Sequence, residues 1–147
     1  MSIGSYKKPM ICDKDNLLAV SDFLKRVTIL SGDFEQTIDY ADSDTVFYFD
    51  PPYKPLSATS SFNSYSQDEF NDDEQKRLKY FCDELNSKGY KWILSNSDVK
   101  KNDNDNFFDN LYSDYKINRV MAKRSINVNP DKRGQLTELL IANMETE

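Results

Sequence analysis

Two β-prone apolar runs, TVFYFD (45–50) and YKWILSN (90–96), lie on either side of one clear amphipathic helix pattern. That arrangement narrows what the chain can become. Both runs are apolar almost continuously rather than alternating, as strands buried on both faces are. The first reads as a central strand. Between them, Leu78, Phe81, Cys82 and Leu85 share one helical face. Asn71 with Glu74 makes a capping-box-like start, and Gly89 supplies the stop. Strands separated by a helix are expected to pair in parallel.

The rest of the chain extends the pattern. Residues 14–26 carry Leu17, Val20 and Leu24 at helical spacing, with Asp13 or Asp15 as the N-cap. VTIL (27–30) reads as a short strand, SGDF (31–34) as a turn and 35–41 as a short helix. A second short helix is expected near 105–112. YKINRVMAK (115–123) and ELLIANM (138–144) read as strands joined by the polar loop 124–136, and so as an antiparallel pair. The expectation is one α/β domain: a mostly parallel sheet with a C-terminal antiparallel hairpin and helices on both faces. Functional residues in such sheets gather at the carboxyl ends of strands. Asp33, Asp50 and Ser95-Asn96 all fall there, which predicts one shared crevice.

Composition removes several kinds of chemistry. The 147 residues include no histidine, so Ser-His-Asp and Cys-His catalysis and every His-containing metal site are excluded. Cys12 and Cys82 stand far apart without metal-ligand spacing, and are expected to be reduced thiols with no metal bound. No apolar run approaches a membrane span. MSIGSYKKPM lacks a signal core, which predicts a cytoplasmic protein. The net charge is −6, yet Lys116, Arg119, Lys123, Arg124, Lys132 and Arg133 crowd into 114–134. A basic stripe on an acidic body is either a solvated surface or a nucleic-acid contact.

The first apolar run ends on Asp50-Pro51-Pro52-Tyr53. As structure alone, this is a rigid turn in which two prolines fix φ and remove two N–H donors. As chemistry, it suits an exocyclic amine on a nucleobase. The lone pair of such an amine is delocalised into the ring, so attack on a methyl sulfonium requires a shift toward tetrahedral nitrogen. Two acceptors aimed at the two N–H bonds favour that shape and offset the charge that grows on nitrogen. The Asp50 carboxylate and the Pro51 carbonyl would be those acceptors. Tyr53 offers a ring face for the base, which must be flipped out of its duplex.

The sequence resembles the Dam-type DNA adenine-N6 methyltransferases, the D12 class of the alpha group. GSYKKP (4–9), FDPPYKPLSATSSFNSYS (49–66), LSNSD (94–98) and KRSINVNPDKRGQLTELLIAN (123–143) look like the family, in the same order. The resemblance implies a partial Rossmann-like methyltransferase fold and transfer of a methyl group from S-adenosyl-L-methionine to N6 of an adenine in double-stranded DNA. It places Asp50, Pro51, Pro52 and Tyr53 at the catalytic centre, with Asp50 also near the donor. Asp33 and Phe34 would lie beside the donor's adenine. Ser57, Thr59, Ser60, Phe62 and Tyr65 would close over the flipped nucleotide. Arg124, Asn127, Asn129 and Arg133 would meet the DNA backbone. Structural roles stay open beside these: a helix cap for Asp33, lid packing for Phe62 and Tyr65, solvation for Arg124 and Arg133, and a strand-end role for Ser95-Asn96.

The same resemblance exposes gaps. The family's glycine-rich F-x-G-x-G turn has no counterpart, because Gly4, Gly32, Gly89 and Gly134 are all far apart. The donor's ribose-binding acid and the DNA-recognition insertion are missing too. Residues 1–147 are therefore expected to be the carboxyl half of a methyltransferase catalytic domain, bacterial or phage-encoded as in restriction-modification. Such a half would be inactive alone, with a sheet edge needing an amino-terminal half or self-association to cover it. Two alternatives remain: an inactive nucleic-acid-binding or partner-binding module of the same fold, and a related enzyme acting on cytosine N4 or a protein amide. The PLSATSSF context favours adenine.

Overall fold

A computed structural model describes residues 12–55, 70–100, 104–123 and 135–145. The chain divides into two compact units, 1–39 and 40–147. In the first, α1 runs from Lys14 to Leu24. It starts where the Asp13 carboxylate accepts from the Asn16 amide at 3.2 Å, as a side-chain N-cap does. Residues 27–30 form no strand. This corrects the expectation for VTIL: the four residues have β propensity, but no described strand pairs with them. A 3-10 helix, Phe34–Tyr40, occupies the expected 35–41 position.

The second unit is built on a four-stranded sheet in the order β1-β2-β4-β3. The strands are β1 (Val46–Phe49), β2 (Lys91–Ser97), β3 (Lys116–Lys123) and β4 (Gln135–Ala142). β1 and β2 are parallel, with Phe47 opposite Trp92. β4 pairs antiparallel with both β2 and β3. The expected C-terminal hairpin is present, inserted so that β4 lies inside and β3 at the edge. Helix α2 (Asp72–Ser87) joins the two parallel strands. The Asn71 side chain accepts from the Asp73 and Glu74 amides. Glu74 does not complete a capping box; it binds Arg77 at 2.8 Å instead. At the other end Gly89 adopts φ +83°. The Tyr90 amide donates to the Leu85 carbonyl and the Gly89 amide to that of Asn86, which is a Schellman stop. Helix α3 (Phe107–Leu111) precedes β3.

The core lies between one face of the sheet and these helices. Phe47, Phe49, Trp92, Leu94, Leu139 and Ile141 meet Leu78, Phe81, Cys82, Leu85, Phe108 and Tyr112, all buried. The Phe81 ring stands edge-on to both Phe47 and Phe49, with centroids 6.2 and 6.0 Å away. Trp92 meets the Tyr115 ring at 4.7 Å.

Two expectations about β1 need correction. It is an edge strand among the described residues, not a central one. Its burial also alternates: Phe47 and Phe49 point inward, while Val46 and Tyr48 are exposed. The aromatic run concealed this, because Tyr and Val tolerate a surface as readily as a core. Helices α2 and α3 both pack on the Trp92 face of the sheet.

Candidate active site

The alternation along β1 positions its carboxyl end. With Phe47 and Phe49 held in the core by Phe81, the next residue out of phase, Asp50, stands on the side facing away from the helices and is exposed. Ser95 of β2 lies on that same side. Its hydroxyl is 3.0 Å from Asp50 Oδ1 and 3.3 Å from the Phe49 carbonyl. A hydroxyl has one proton, and the shorter contact to a charged acceptor is the stronger bond. Ser95 therefore donates to Asp50 and accepts from the Tyr48 hydroxyl at 3.3 Å. One carboxylate oxygen is thus held in place, and the group as a whole still faces solvent.

Pro51 and Tyr53 are half-buried and Pro52 is exposed. Burial raises the Tyr53 phenol above its ordinary value; the neighbouring Ser95 hydroxyl opposes that rise, and the nearby Asp50 charge adds to it. Tyr53 is therefore neutral at physiological pH.

The backbone beyond Pro51 is held from the other side. The Pro52 carbonyl accepts from Gln75 Nε2 at 3.0 Å. The Lys54 amide donates to Asn96 Oδ1 at 3.1 Å, and Ser97 Oγ donates to the Lys54 carbonyl. The Lys54 ammonium lies 4.4 Å from the centre of the Phe107 ring and bonds Asp72. Of Ser95, Gln75, Ser97 and Lys54, only Gln75 lies outside the segments whose sequence looks like the family. Gln75 lies three residues before Leu78 on α2, and only its polarity among buried neighbours marks it.

Other predicted residues fall differently. The Asp33 carboxylate accepts from the Glu35 amide at 2.9 Å and so caps the 3-10 helix. Ser57, Thr59, Ser60, Phe62, Tyr65, Arg124, Asn127, Asn129 and Arg133 lie outside the described residues. The basic stripe is partly neutralised from within. Arg119 Nε is 3.2 Å from both oxygens of the fully buried Asp98, and its Nη2 is 2.6 Å from Asp109. Lys116 pairs with Glu145. A cavity of about 370 Å³ lined by Asn86, Tyr115 and Asn143 lies at the opposite end of the sheet from Asp50. Both thiols are free, with Cys12 exposed and Cys82 buried.

A mixed α/β sheet that carries D-P-P-Y at the carboxyl end of a strand places the chain in the methyltransferase-like class. Comparison with known proteins makes this specific. Residues 1–126 match the D12 class N6 adenine-specific DNA methyltransferase family, and the chain belongs to it. Its sequence is 50% identical over 141 residues to the type II methyltransferase M.MjaIII of Methanocaldococcus jannaschii, covering 95% of this chain and 47% of the relative. It is 33% identical over 138 residues to the DNA adenine methylase of Haemophilus influenzae, covering 93% of this chain and 46% of that protein. The DNA N-6-adenine-methyltransferase of Escherichia phage P1 is 32% identical over 142 residues, covering 93% of this chain and 18% of the relative. The chain spans about half the length of the first two. No helix among the described residues is long and apolar enough to cross a membrane.

Proposed function

We propose that this chain supplies the target-base part of a cytoplasmic, site-specific DNA adenine-N6 methyltransferase that uses S-adenosyl-L-methionine. The observation that carries this reading is the Asp50 carboxylate, exposed at the end of β1 with one oxygen held by Ser95. Asp50 and the Pro51 carbonyl accept the two N–H bonds of a flipped adenine. They favour a tetrahedral amine and offset its growing charge. The neutral Tyr53 ring stacks on the base. Segment 54–66, with Ser57, Thr59, Ser60, Phe62 and Tyr65, closes over the nucleotide. Arg124, Asn127, Asn129 and Arg133 contact phosphates, a role that the internal pairing of Arg119 and Lys116 leaves to the later residues.

The donor supplies the methyl group, and this chain offers only part of its site. Asp33 and Phe34 are the family's segment beside the donor, but the Asp33 carboxylate is engaged in capping the 3-10 helix. Its four glycines form no phosphate- or donor-cradling turn. A polypeptide carrying that turn must complete the enzyme. The edge of β1 that pairs with no described strand, and the exposed Val46 and Tyr48 on it, suit such a partner. The missing turn also favours a second reading, a non-catalytic DNA- or partner-binding module of the same fold.

A reconstitution experiment tests both. The chain is assayed on DNA alone, then mixed with the portion of the M. jannaschii relative that it does not match. Alone it should transfer no methyl groups; the pair should methylate adenine, and Asp50→Ala should reduce the rate by at least about 100-fold. Methylation by the chain alone refutes the split site. Undiminished methylation by the Asp50→Ala pair refutes the assignment of Asp50. If no mixture methylates, the binding-module reading prevails.

A further inference from the structure

We infer that Gln75 is a positioning residue that sets the Pro51 carbonyl and the Tyr53 ring at the angle the target amine needs. The inference rests on the reading of Asp50 and Pro51 as amine acceptors. Neither Pro51 nor Pro52 has an N–H, so this stretch cannot be anchored through its own donors. Only its carbonyls are available, and one of them must remain open for the substrate. Gln75 Nε2 takes the Pro52 carbonyl at 3.0 Å. Gln75 Oε1 accepts from Asn96 Nδ2 at 3.2 Å, and Asn96 Oδ1 accepts from the Lys54 amide. The clamp therefore grips the chain on both sides of Tyr53.

The geometry of proline makes that grip effective. The planes of the Pro51 and Pro52 carbonyls are related by φ and ψ of Pro52 alone. The ring sets φ near about −65°, so fixing the Pro52 carbonyl leaves one restrained torsion to orient the Pro51 carbonyl. Gln75 is also a costly choice for packing. It is 1% exposed and Asn96 is fully buried. A buried amide is tolerated only when its polar atoms are satisfied. Both ends of the Gln75 amide are used here, one of them on the D-P-P-Y backbone. A leucine or methionine would serve packing alone.

Gln75→Met keeps the length and removes both bonds. Gln75→Glu keeps the shape and restores the donor only when protonated. In the isolated, isotope-labelled full chain, Gln75→Met should move the Pro52 carbonyl ¹³C resonance upfield. It should also speed hydrogen exchange at the Lys54 amide at least tenfold relative to the α2 amides. In the reconstituted enzyme the kcat should fall about 100-fold with the KM for DNA within threefold. Gln75→Glu should recover rate as pH falls, an acid limb that wild type lacks. Unchanged Pro52 and Lys54 signals, or a Gln75→Met enzyme within threefold of wild type, overturns the inference. If Gln75→Met does not fold, Gln75→Glu decides by the same readouts. A wild-type pair that fails to methylate sinks the proposed function, while the resonances still decide the role of Gln75.

Discussion

Replacing Arg119 by methionine should destabilise the protein by about 3 kcal/mol, because the damage falls on a carboxylate with no access to solvent. Asp98 is fully buried and both its oxygens lie 3.2 Å from Arg119 Nε. Arg119 also joins β3 to α3 through Asp109 at 2.6 Å. Removing one partner from a buried pair typically costs about 3–5 kcal/mol, since the remaining charge keeps its desolvation penalty. The lower end applies here for two reasons. The arginine side chain is 32% exposed, and Asp109 retains Lys100 at 3.0 Å. A loss of about 3 kcal/mol is a large part of a typical stability of about 5–15 kcal/mol and should lower Tm by about 6–12 °C. Trp92, the single tryptophan, is fully buried against Tyr112 and Tyr115, so urea unfolding followed by its fluorescence reports the loss. Arg119→Met with Asp98→Asn should regain most of it, because an amide tolerates burial better than a charge. A single-variant loss below about 1 kcal/mol, the level of a surface pair, would refute the reasoning, as would a double variant no better than Arg119→Met.

Two further outcomes follow from the same structure. Burial alone would raise the Asp109 carboxyl, but hydrogen bonds from Lys100 and Arg119 outweigh it and hold the group below its ordinary value. Its contribution to stability is therefore complete above the unfolded pKa, near about 3.9, and is lost as pH falls through the lower folded value; an Asp109→Asn variant should show a shallower acid limb in stability against pH, and an unchanged limb would contradict this. Burial pushes the Cys82 thiol far up, chiefly by desolvation, whereas Cys12 is exposed, so a thiol reagent should modify one cysteine quickly in the native protein and both in urea; rapid reaction of both in buffer would place Cys82 wrongly.

The features legible in sequence were those set within a few residues. The Asn71 cap, the Gly89 stop and the buried stripe Leu78–Phe81–Cys82–Leu85 all follow from contacts inside one helix or its ends. The D-P-P-Y tip was legible because two adjacent prolines restrict the backbone whatever surrounds them. Propensity misled where a partner was needed: VTIL has strand character, but a strand needs a neighbour to accept its hydrogen bonds, and no described strand pairs with it.

The sequence by itself determined an α/β chain, the places of its helices and four of its strands, and a carboxylate beside two prolines at a strand end. Tertiary structure alone decided that β1 is an edge among the described strands, that α2 and α3 share one sheet face, and that Arg119 is held by Asp98 and Asp109. It alone brought Ser95 to Asp50 and Gln75 to Pro52, across 45 and 23 residues of chain. The reason is physical. Periodicity and capping record what a residue does with its near neighbours, whereas the bond from Gln75 to the Pro52 carbonyl forms only when the sheet and helix have packed.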